Sequence, residues 1–447
     1  MHRPLIIGGG ATGALLTSLL PASTLSTTLL LEKSNNVGRM ASSTARGEAA
    51  SSITDSGAQY FTCLDGPSTE ALRVLAGKGV VSQLPPHCIQ GERPPYTTYA
   101  SYGAPGGAGS VVSHYLTEAV SRGLTYRKNT RVMSLEAAPQ PSHLGGGGGS
   151  GSGGGLLGWL CTTDQGEETW APSVVLTIPG PQVLQLQGDT FQAVLTASGA
   201  RAALSRVTFS SRFALAFHFP AATWEAFATR IPPTTSFGRY IGAGDPGGKY
   251  LRYLSFETHK RRLPSFSSSS TTTTSTATTA ATTPIIPSFV AHSSIQYGEA
   301  TPQATPEVQA LLLESALEAL AAWGGFASPA DLPAPPIEPR LHRWKYSQVT
   351  HGPRAGKEGE EEEGDWVKEF VVASRGGGGG GGVEGEGTAT PPSPTTPSSY
   401  LIQGVPLSVG PSPPLILAGD WVTGQSNFAA CLRSASGALA HLSSLKQ

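Results

Sequence analysis

The chain has 447 residues, 38% of them hydrophobic and 14% charged, and its 30 Lys and Arg against 31 Asp and Glu leave a formal net charge of −1. That balance gives no electrostatic footprint for nucleic acid or an anionic membrane surface, and no apolar run approaches the ~18–20 residues of a membrane span. Its four Cys are widely separated with no CxxC pair, which suits a reducing compartment and not a disulfide framework.

Arg3–Ile7 reads as a short buried strand. Its apolar part, Pro4–Ile7, is too short for the core of a signal peptide and stops at Gly8-Gly9-Gly10, so the expectation is an uncleaved, cytoplasmic protein. Thr12–Leu20 reads as a helix and Thr27–Glu32 as a second strand. The Gly-rich Tyr99–Gly109 is a candidate cap over a pocket and precedes an amphipathic helix at Val111–Ala119. Val174–Ile178 is an apolar strand stopped by Pro179-Gly180-Pro181, and Phe213–Phe219 is an aromatic strand. Glu307–Trp323 is a helix with Leu313, Leu317 and Leu320 on one face. Further on, strand alternation sends Trp344 and Tyr346 to one side and Arg343, Lys345 and Ser347 to the other. Leu415–Ala418 is a strand and Ser426–Leu442 a helix. Strands alternating with helices at both ends predict a parallel α/β domain assembled from distant parts of the chain.

Three stretches cannot bury enough apolar surface to offset the entropy of ordering, and read as disordered low-complexity insertions. They are the Gly-rich Gly145–Gly155, the Ser/Thr tract Ser265–Thr283, and Ala355–Ser399 with its acidic, Gly and Pro/Ser/Thr blocks. Within the third, Asp365–Ala373 alternates like a strand. The remainder, roughly 370 residues, suits a two-domain enzyme.

Gly8-Gly9-Gly10-Ala11-Thr12-Gly13 is a G-x-G-x-x-G between a predicted strand and a predicted helix. In that setting Gly8 permits the tight turn, Gly10 lets the backbone approach a pyrophosphate, and Gly13 lets the helix pack close to the strand. Phosphates then meet the free N–H groups of the helix start. Glu32 follows Gly13 by 19 residues and is placed for ribose hydroxyls. More than this unit is present. Gly38-Arg39-Met40 puts an Arg where it can reach a pyrophosphate or a flavin edge, and Asp55-Ser56-Gly57-Ala58-Gln59-Tyr60 comes next. Gly419-Asp420 ends the last strand, where a carboxylate can hold ribityl hydroxyls. Gln425-Ser426-Asn427-Phe428 opens a helix whose N-terminus can stabilise a reduced flavin.

These residues resemble the flavoprotein amine oxidase superfamily, and within it the likeness is closer to the renalase family. Asp55–Tyr60 is similar to that family's D-x-G-A-Q-Y, Val175–Pro181 with Leu184–Asp189 to its strand and turn, and Phe209–Leu215 to its Tyr/Phe-Ser-Ser-Arg stretch. Trp344–Val349 is similar to its W-[RK]-[HY]-S-Q-V, and Gly419-Asp420 with Thr423–Phe428 to its carboxyl-terminal pattern. The likeness runs from residue 3 to about 442 outside the insertions; Val37 replaces the first Gly of the family's second motif, and Arg39 is kept.

The resemblance implies non-covalent FAD. Gly8, Gly10, Thr12 and Gly13 would form the phosphate turn, Glu32 would meet the ribose, and Arg39, Gln59 and Tyr60 would lie toward the flavin. Gly419 and Asp420 would hold the ribityl or phosphate region, with Ser426 and Asn427 at the last helix. No Cys lies between Cys161 and Cys431, so the covalent attachment of monoamine oxidases is not expected; Cys431 reads as a small buried core residue.

The implied activity is oxidation of the 2- and 6-dihydro isomers of NAD(P)H, with O2 reoxidising the flavin to give hydrogen peroxide. Loss of hydride makes an aromatic pyridinium without removing a proton, so no general base is needed and no catalytic residue is assigned. Trp344, Tyr346, Lys345 and Asn427 are pocket candidates. Trp344 and Tyr346 serve either as a pocket wall or as sheet packing; Lys345 reads as a solvated charge, because burying an unpaired ammonium is costly. Arg212 is a candidate for a substrate phosphate or for an internal ion pair. The ten His form no paired ligand spacing, so no metal is expected.

The fold class predicted is therefore α/β: a Rossmann-like FAD-binding domain with a parallel sheet, plus an α+β substrate domain with a mixed or antiparallel sheet. The FAD-binding parts are expected at 1–80, 157–195 and 400–447, and the substrate parts at 81–142 and 196–350. Insertions fall at 143–156, 265–284 and 355–399. The partners are a dihydronicotinamide dinucleotide and O2, with neither nucleic acid nor a membrane span; the oligomeric state is open. An amine or polyamine oxidase is the alternative, predicting an aromatic cage near Gly419-Asp420 where Tyr400 and Trp421 stand. A flavin-binding redox scaffold without turnover is the third reading.

Overall fold

The structure is a computed structural model, and the residues it describes are 4–35, 38–45, 52–63, 65–86, 88–91, 99–141, 157–231, 236–262, 284–352, 399–403, 405–407, 410–423 and 426–445. All of the three insertions but Pro284 and Ser399, the strand expected at Asp365–Ala373, and Val37 and Gln425 lie outside them. The chain forms two compact units. One comprises Met1–Asn35, Tyr115–Thr208 and Val349–Gln447, the other Asn36–His114 and Phe209–Gln348.

The first unit is built on a six-stranded sheet in the spatial order Tyr400–Ile402, Leu415–Leu417, Val174–Leu176, Leu5–Ile7, Leu29–Leu31 and Thr125–Arg127. All neighbours are parallel except the Tyr400–Ile402 edge strand. The four inner strands read LIL, VVL, LII and LLL and are buried at every position. Continuous apolar runs of this kind belong to parallel strands covered on both faces. The helix Ala11–Leu19 lies in the crossover from Leu5–Ile7 to Leu29–Leu31 and packs on the last helix, Phe428–Ser444. An antiparallel meander of Val132–Pro139, Leu157–Thr163 and Glu168–Ala171 belongs to the same unit. The Gly-rich insertion falls, in sequence, between the first two of its strands.

The second unit holds a mixed six-stranded sheet in the order Ile337–Trp344, Arg212–His218, Ser288–Ser293, Leu251–Phe256, Gly238–Tyr240 and Ile89–Gln90. Only the last pair is parallel. Alternation turns Phe213, Leu215 and Phe217 into a core with Phe256, Phe289 and the helix Pro306–Gly324, and leaves Arg212, Ala214 and Ala216 on the opposite face. That helix is bounded by local chemistry. The Thr305 side chain accepts from the Val308 N–H, Pro306 opens the first turn, and Gly325 closes it at φ 64°.

The fold class expected from the sequence is present: a Rossmann-like parallel sheet and a second, mixed sheet with helices. The unit limits fall elsewhere than the expected domain boundaries. Residues 36–80 sit in the second unit, where the hairpin of Ser42–Thr44 and Ile53–Asp55 is tied down by the helix Glu257–Arg262. Residues 115–142 sit in the first, because Thr125–Arg127 extends its parallel sheet. The strand Ile337–Trp344 ends at Trp344, so alternation does not carry on to Tyr346, which lies in a turn. Within Tyr99–Gly109, Ser101–Gly103 is the middle strand of a three-stranded sheet, and Ala108 already begins a helix.

Candidate functional site

In the first unit the glycine turn performs the steric tasks its spacing implies. Gly8 sits at φ +112°, and a Cβ there would lie 2.7 Å from Thr177 Oγ1. A Cβ on Gly13 would lie 2.1 Å from the Gly8 carbonyl oxygen, so only glycine lets the helix start this close to the strand. A Cβ on Gly10 would meet nothing within 4 Å. Gly10 is also the helix N-cap and has no side-chain cap, leaving the amino end of Ala11–Leu19 available to an anion. Thr12 is buried in the first turn. Thr177 Oγ1 donates to the Gly8 carbonyl at 2.7 Å and fixes the turn from the neighbouring strand.

Glu32 stands just beyond its strand. Its Oε2 accepts from the Gly9 N–H at 2.7 Å, and its Oε1 accepts from the Ser34 N–H at 3.0 Å and the Ser34 hydroxyl at 2.9 Å. A carboxylate offers about four acceptor positions, so capacity remains for a hydroxyl. Tyr126, on the next parallel strand, was not foreseen. Its hydroxyl is buried without a partner among the described residues, and a Cβ on Gly9 would lie 3.2 Å from it. Burial, and then Glu32, push this phenol up to about 12, so it is a donor at neutral pH. An open Gly10, an uncapped helix start and an orphaned donor beside Glu32 fit the adenosine and phosphate end of a dinucleotide.

At the carboxyl-terminal end of the same sheet Gly419 adopts φ +144°, where a Cβ would strike the Trp421 indole, and its N–H donates to Ser434 Oγ at 2.7 Å. Asp420 is 3% exposed in a short 3-10 turn. Ser426 Oγ accepts from the Val349 N–H at 2.7 Å. Asn427 caps the last helix, its Oδ1 accepting from the Ala430 N–H at 2.8 Å. Its side-chain oxygen is thus committed to the helix, and the helix starts at Phe428 and not at Ser426. Cys431 is buried, as expected.

In the second unit, Asp55 of the DSGAQY stretch is 1% exposed and carries two ion pairs, to Lys260 at 2.8 Å and Arg261 at 3.0 Å. Glu257 binds the same two cations, at 2.8 Å each. Asp55 also accepts from Ser42 Oγ at 2.5 Å and from the Ala108 N–H at 2.8 Å, at the start of the Ala108–Ser121 helix. Burial alone would raise this carboxyl; Lys260 and Arg261 overcome it and hold it at about 2. Lys260 Nζ donates further to Gln59 Oε1 at 3.1 Å, and Gln59 Nε2 lies 3.3 Å from His292 Nε2. Burial first, then Arg212 and Lys260, push His292 down to about 3, so its imidazole is neutral. Tyr60 reaches the Tyr240 hydroxyl at 3.0 Å. Lys260 and Glu257 escaped the sequence reading because ETHKRR reads as a solvated charge run.

Two motifs of undecided role meet at the edge of this sheet. Arg212 pairs in register with Trp344, and its Nη2 donates to Gln348 Oε1 at 2.8 Å. Trp344 Nε1 donates to the Ser56 carbonyl at 2.7 Å, and its ring lies 4.2 Å from that of His342. Tyr346 packs edge-on to Phe209 at 5.4 Å, and the Arg39 guanidinium lies 5.8 Å from the same Phe209 ring. Lys345 is exposed, with its ammonium 5.5 Å from the Tyr346 ring. Of the expected cofactor contacts, Arg39, Gln59 and Tyr60 belong to the second unit and the others to the first.

Among the described residues no helix is long and apolar enough to cross a membrane. Residues 6–76 match the family model described as an NAD(P)-binding Rossmann-like domain. The chain is 25% identical to renalase of Mus musculus over 358 residues, covering 78% of this chain and 86% of that protein. The chain is thus renalase-like over most of its length, and the two likenesses support a flavin-dependent oxidoreductase.

Proposed function

We propose that this flavin-dependent oxidoreductase is an FAD oxidase of the 2- and 6-dihydro isomers of NAD(P)H, forming NAD(P)+ and hydrogen peroxide. The observation that carries this reading is the likeness to renalase, which extends far past the dinucleotide-binding residues 6–76. The Gly8–Gly13 turn, Glu32 and Tyr126 would hold the adenosine and phosphate end of FAD, and Gly419 and Asp420 its ribityl region. Bound FAD would supply the hydride acceptor and the route of two electrons to O2. The balance is one NAD(P)H isomer, one O2 and one H+ giving one NAD(P)+ and one H2O2.

Only a hydride leaves the substrate, so the chain's own residues have to orient a dihydropyridine and exclude water; none has to abstract a proton. The second unit suits that task. Asp55 and Glu257 are tied to cations, and His292 is held neutral. The amine-oxidase alternative is less well supported, because Tyr400 and Trp421 are core residues, and Trp421 Nε1 is engaged with the Ile178 carbonyl at 3.0 Å. Oxygen uptake with 6-dihydro-NAD is the test. One NAD+ and one peroxide per O2 are expected; uptake with a polyamine and none with either dihydro isomer would reverse the assignment.

A further inference from the structure

Two cations of the second unit, Lys260 and Arg261, are held by carboxylates, and the half-buried Arg212 differs from them. Lys260 and Arg261 each hold two carboxylates. Arg212 holds none among the described residues. The ionisable groups that bear on it are Tyr240, His292 and a second guanidinium, Arg252, and its one hydrogen-bonded partner among the described residues is the neutral Gln348. Its Nε is buried with no partner among the described residues. The Gln348 contact is backed by the main chain, since Ser210, two residues before Arg212, is bonded to the Ser347–Gln348 backbone. The Ser210 N–H donates to the Gln348 carbonyl at 2.8 Å, and the Ser347 N–H donates to the Ser210 carbonyl at 2.9 Å.

A guanidinium has five N–H donors, and among the described residues one is used. Taking a cation out of water is costly unless an anion meets it. Arg212 shares its sheet face with Ala214, whose side chain is small and whose partners on the flanking strands are His342 and His292.

We propose that Arg212, oriented by Gln348, binds a phosphate of a nucleotide substrate on this face of the second-unit sheet. The assignment rests on the dinucleotide reading above and deepens it. Arg212 then acts as a specificity residue: it accepts a phosphorylated donor and repels a cationic amine.

The test follows anaerobic flavin reduction in the holoenzyme by two donors, 6-dihydro-NAD and the phosphate-free N-methyl-1,6-dihydronicotinamide. In Arg212→Met the preference for the dinucleotide should fall by about 10- to 100-fold, the range for loss of a hydrogen bond to a charged group, and chiefly through KM. Arg212→Lys should retain part of it, and Gln348→Ala, at an exposed position, should lose part of it. An unchanged preference in Arg212→Met overturns the proposal. So does loss of bound flavin with the donor preference intact, which would give the phosphate to the cofactor. Calorimetric binding of inorganic pyrophosphate to the holoprotein separates this inference from the activity. If the enzyme proves to oxidise amines, the dinucleotide reading fails. Pyrophosphate binding that is lost in Arg212→Met would still support an anion site at this residue, and equal binding in wild type and variant would overturn it.

Discussion

Tyr126, the middle residue of its strand, has a buried hydroxyl beside Glu32 and Gly9, and no described residue bonds it. An unsatisfied buried donor costs about 1–3 kcal/mol, and the cost disappears when a ligand accepts from it. Tyr126→Phe should therefore leave the flavin-free protein at least as stable as wild type while weakening FAD retention about 10-fold. Thermal unfolding without flavin and flavin release on dilution read the two effects separately; unchanged retention would remove Tyr126 from the site. Gly8, Gly13 and Glu32 were legible in the sequence because the turn, the helix start and the strand end are consecutive pieces of one βαβ unit. Tyr126 was not, because its strand joins Leu29–Leu31 only in space. Lys260 was hidden for a different reason. A charge run is normally solvated, and it takes Asp55, more than 200 residues earlier, together with Glu257 to make its burial tolerable.

The strands and helices that frame the glycine turn were readable from their apolar runs, and the structure moves their ends by one or two residues. The last helix illustrates what decides such an end. Asn427 accepts from the Ala430 N–H, so the helix begins one residue later, at Phe428. Loss of an N-cap typically costs about 1 kcal/mol. Asn427→Ala should lower stability by about that amount, and Asn427→Asp, which keeps the acceptor, should not. Equal denaturation midpoints for the two variants would contradict the capping role. The strands Leu251–Phe256 and Ser288–Ser293 escaped the sequence reading because LRYLSF and SFVAHS mix polar and apolar residues without a clean period. Their pairing, and the Phe256 and Phe289 rings stacked 4.3 Å apart, are tertiary facts.

At the scale of the molecule, two buried histidines and the half-buried His292 make the fold sensitive to acid. Burial is the first cause in each: His218 is pushed down to about 4, and His259 and His292 to about 3, from an ordinary value of 6.5. A group whose folded pKa lies below its unfolded value takes up protons on unfolding, so stability is full above about pH 6.5 and falls as the pH drops toward 3. Asp55 adds a separate loss at lower pH, present above about 4 and gone as the pH falls through about 2. His259, stacked 3.7 Å from Phe256 with both ring nitrogens unpartnered among the described residues, gives the cleanest test. His259→Phe should flatten the fall in urea stability between pH 6.5 and 4, and an unchanged slope would contradict this. The renalase-like activity itself is tested most directly by the visible spectrum of the purified protein during anaerobic titration with 6-dihydro-NAD. Stoichiometric bleaching of a bound flavin, reversed by air with peroxide formed, is the expected result. A flavin that stays oxidised with this donor but bleaches with a primary amine or a polyamine, or a colourless protein that cannot be reconstituted with FAD, would contradict it.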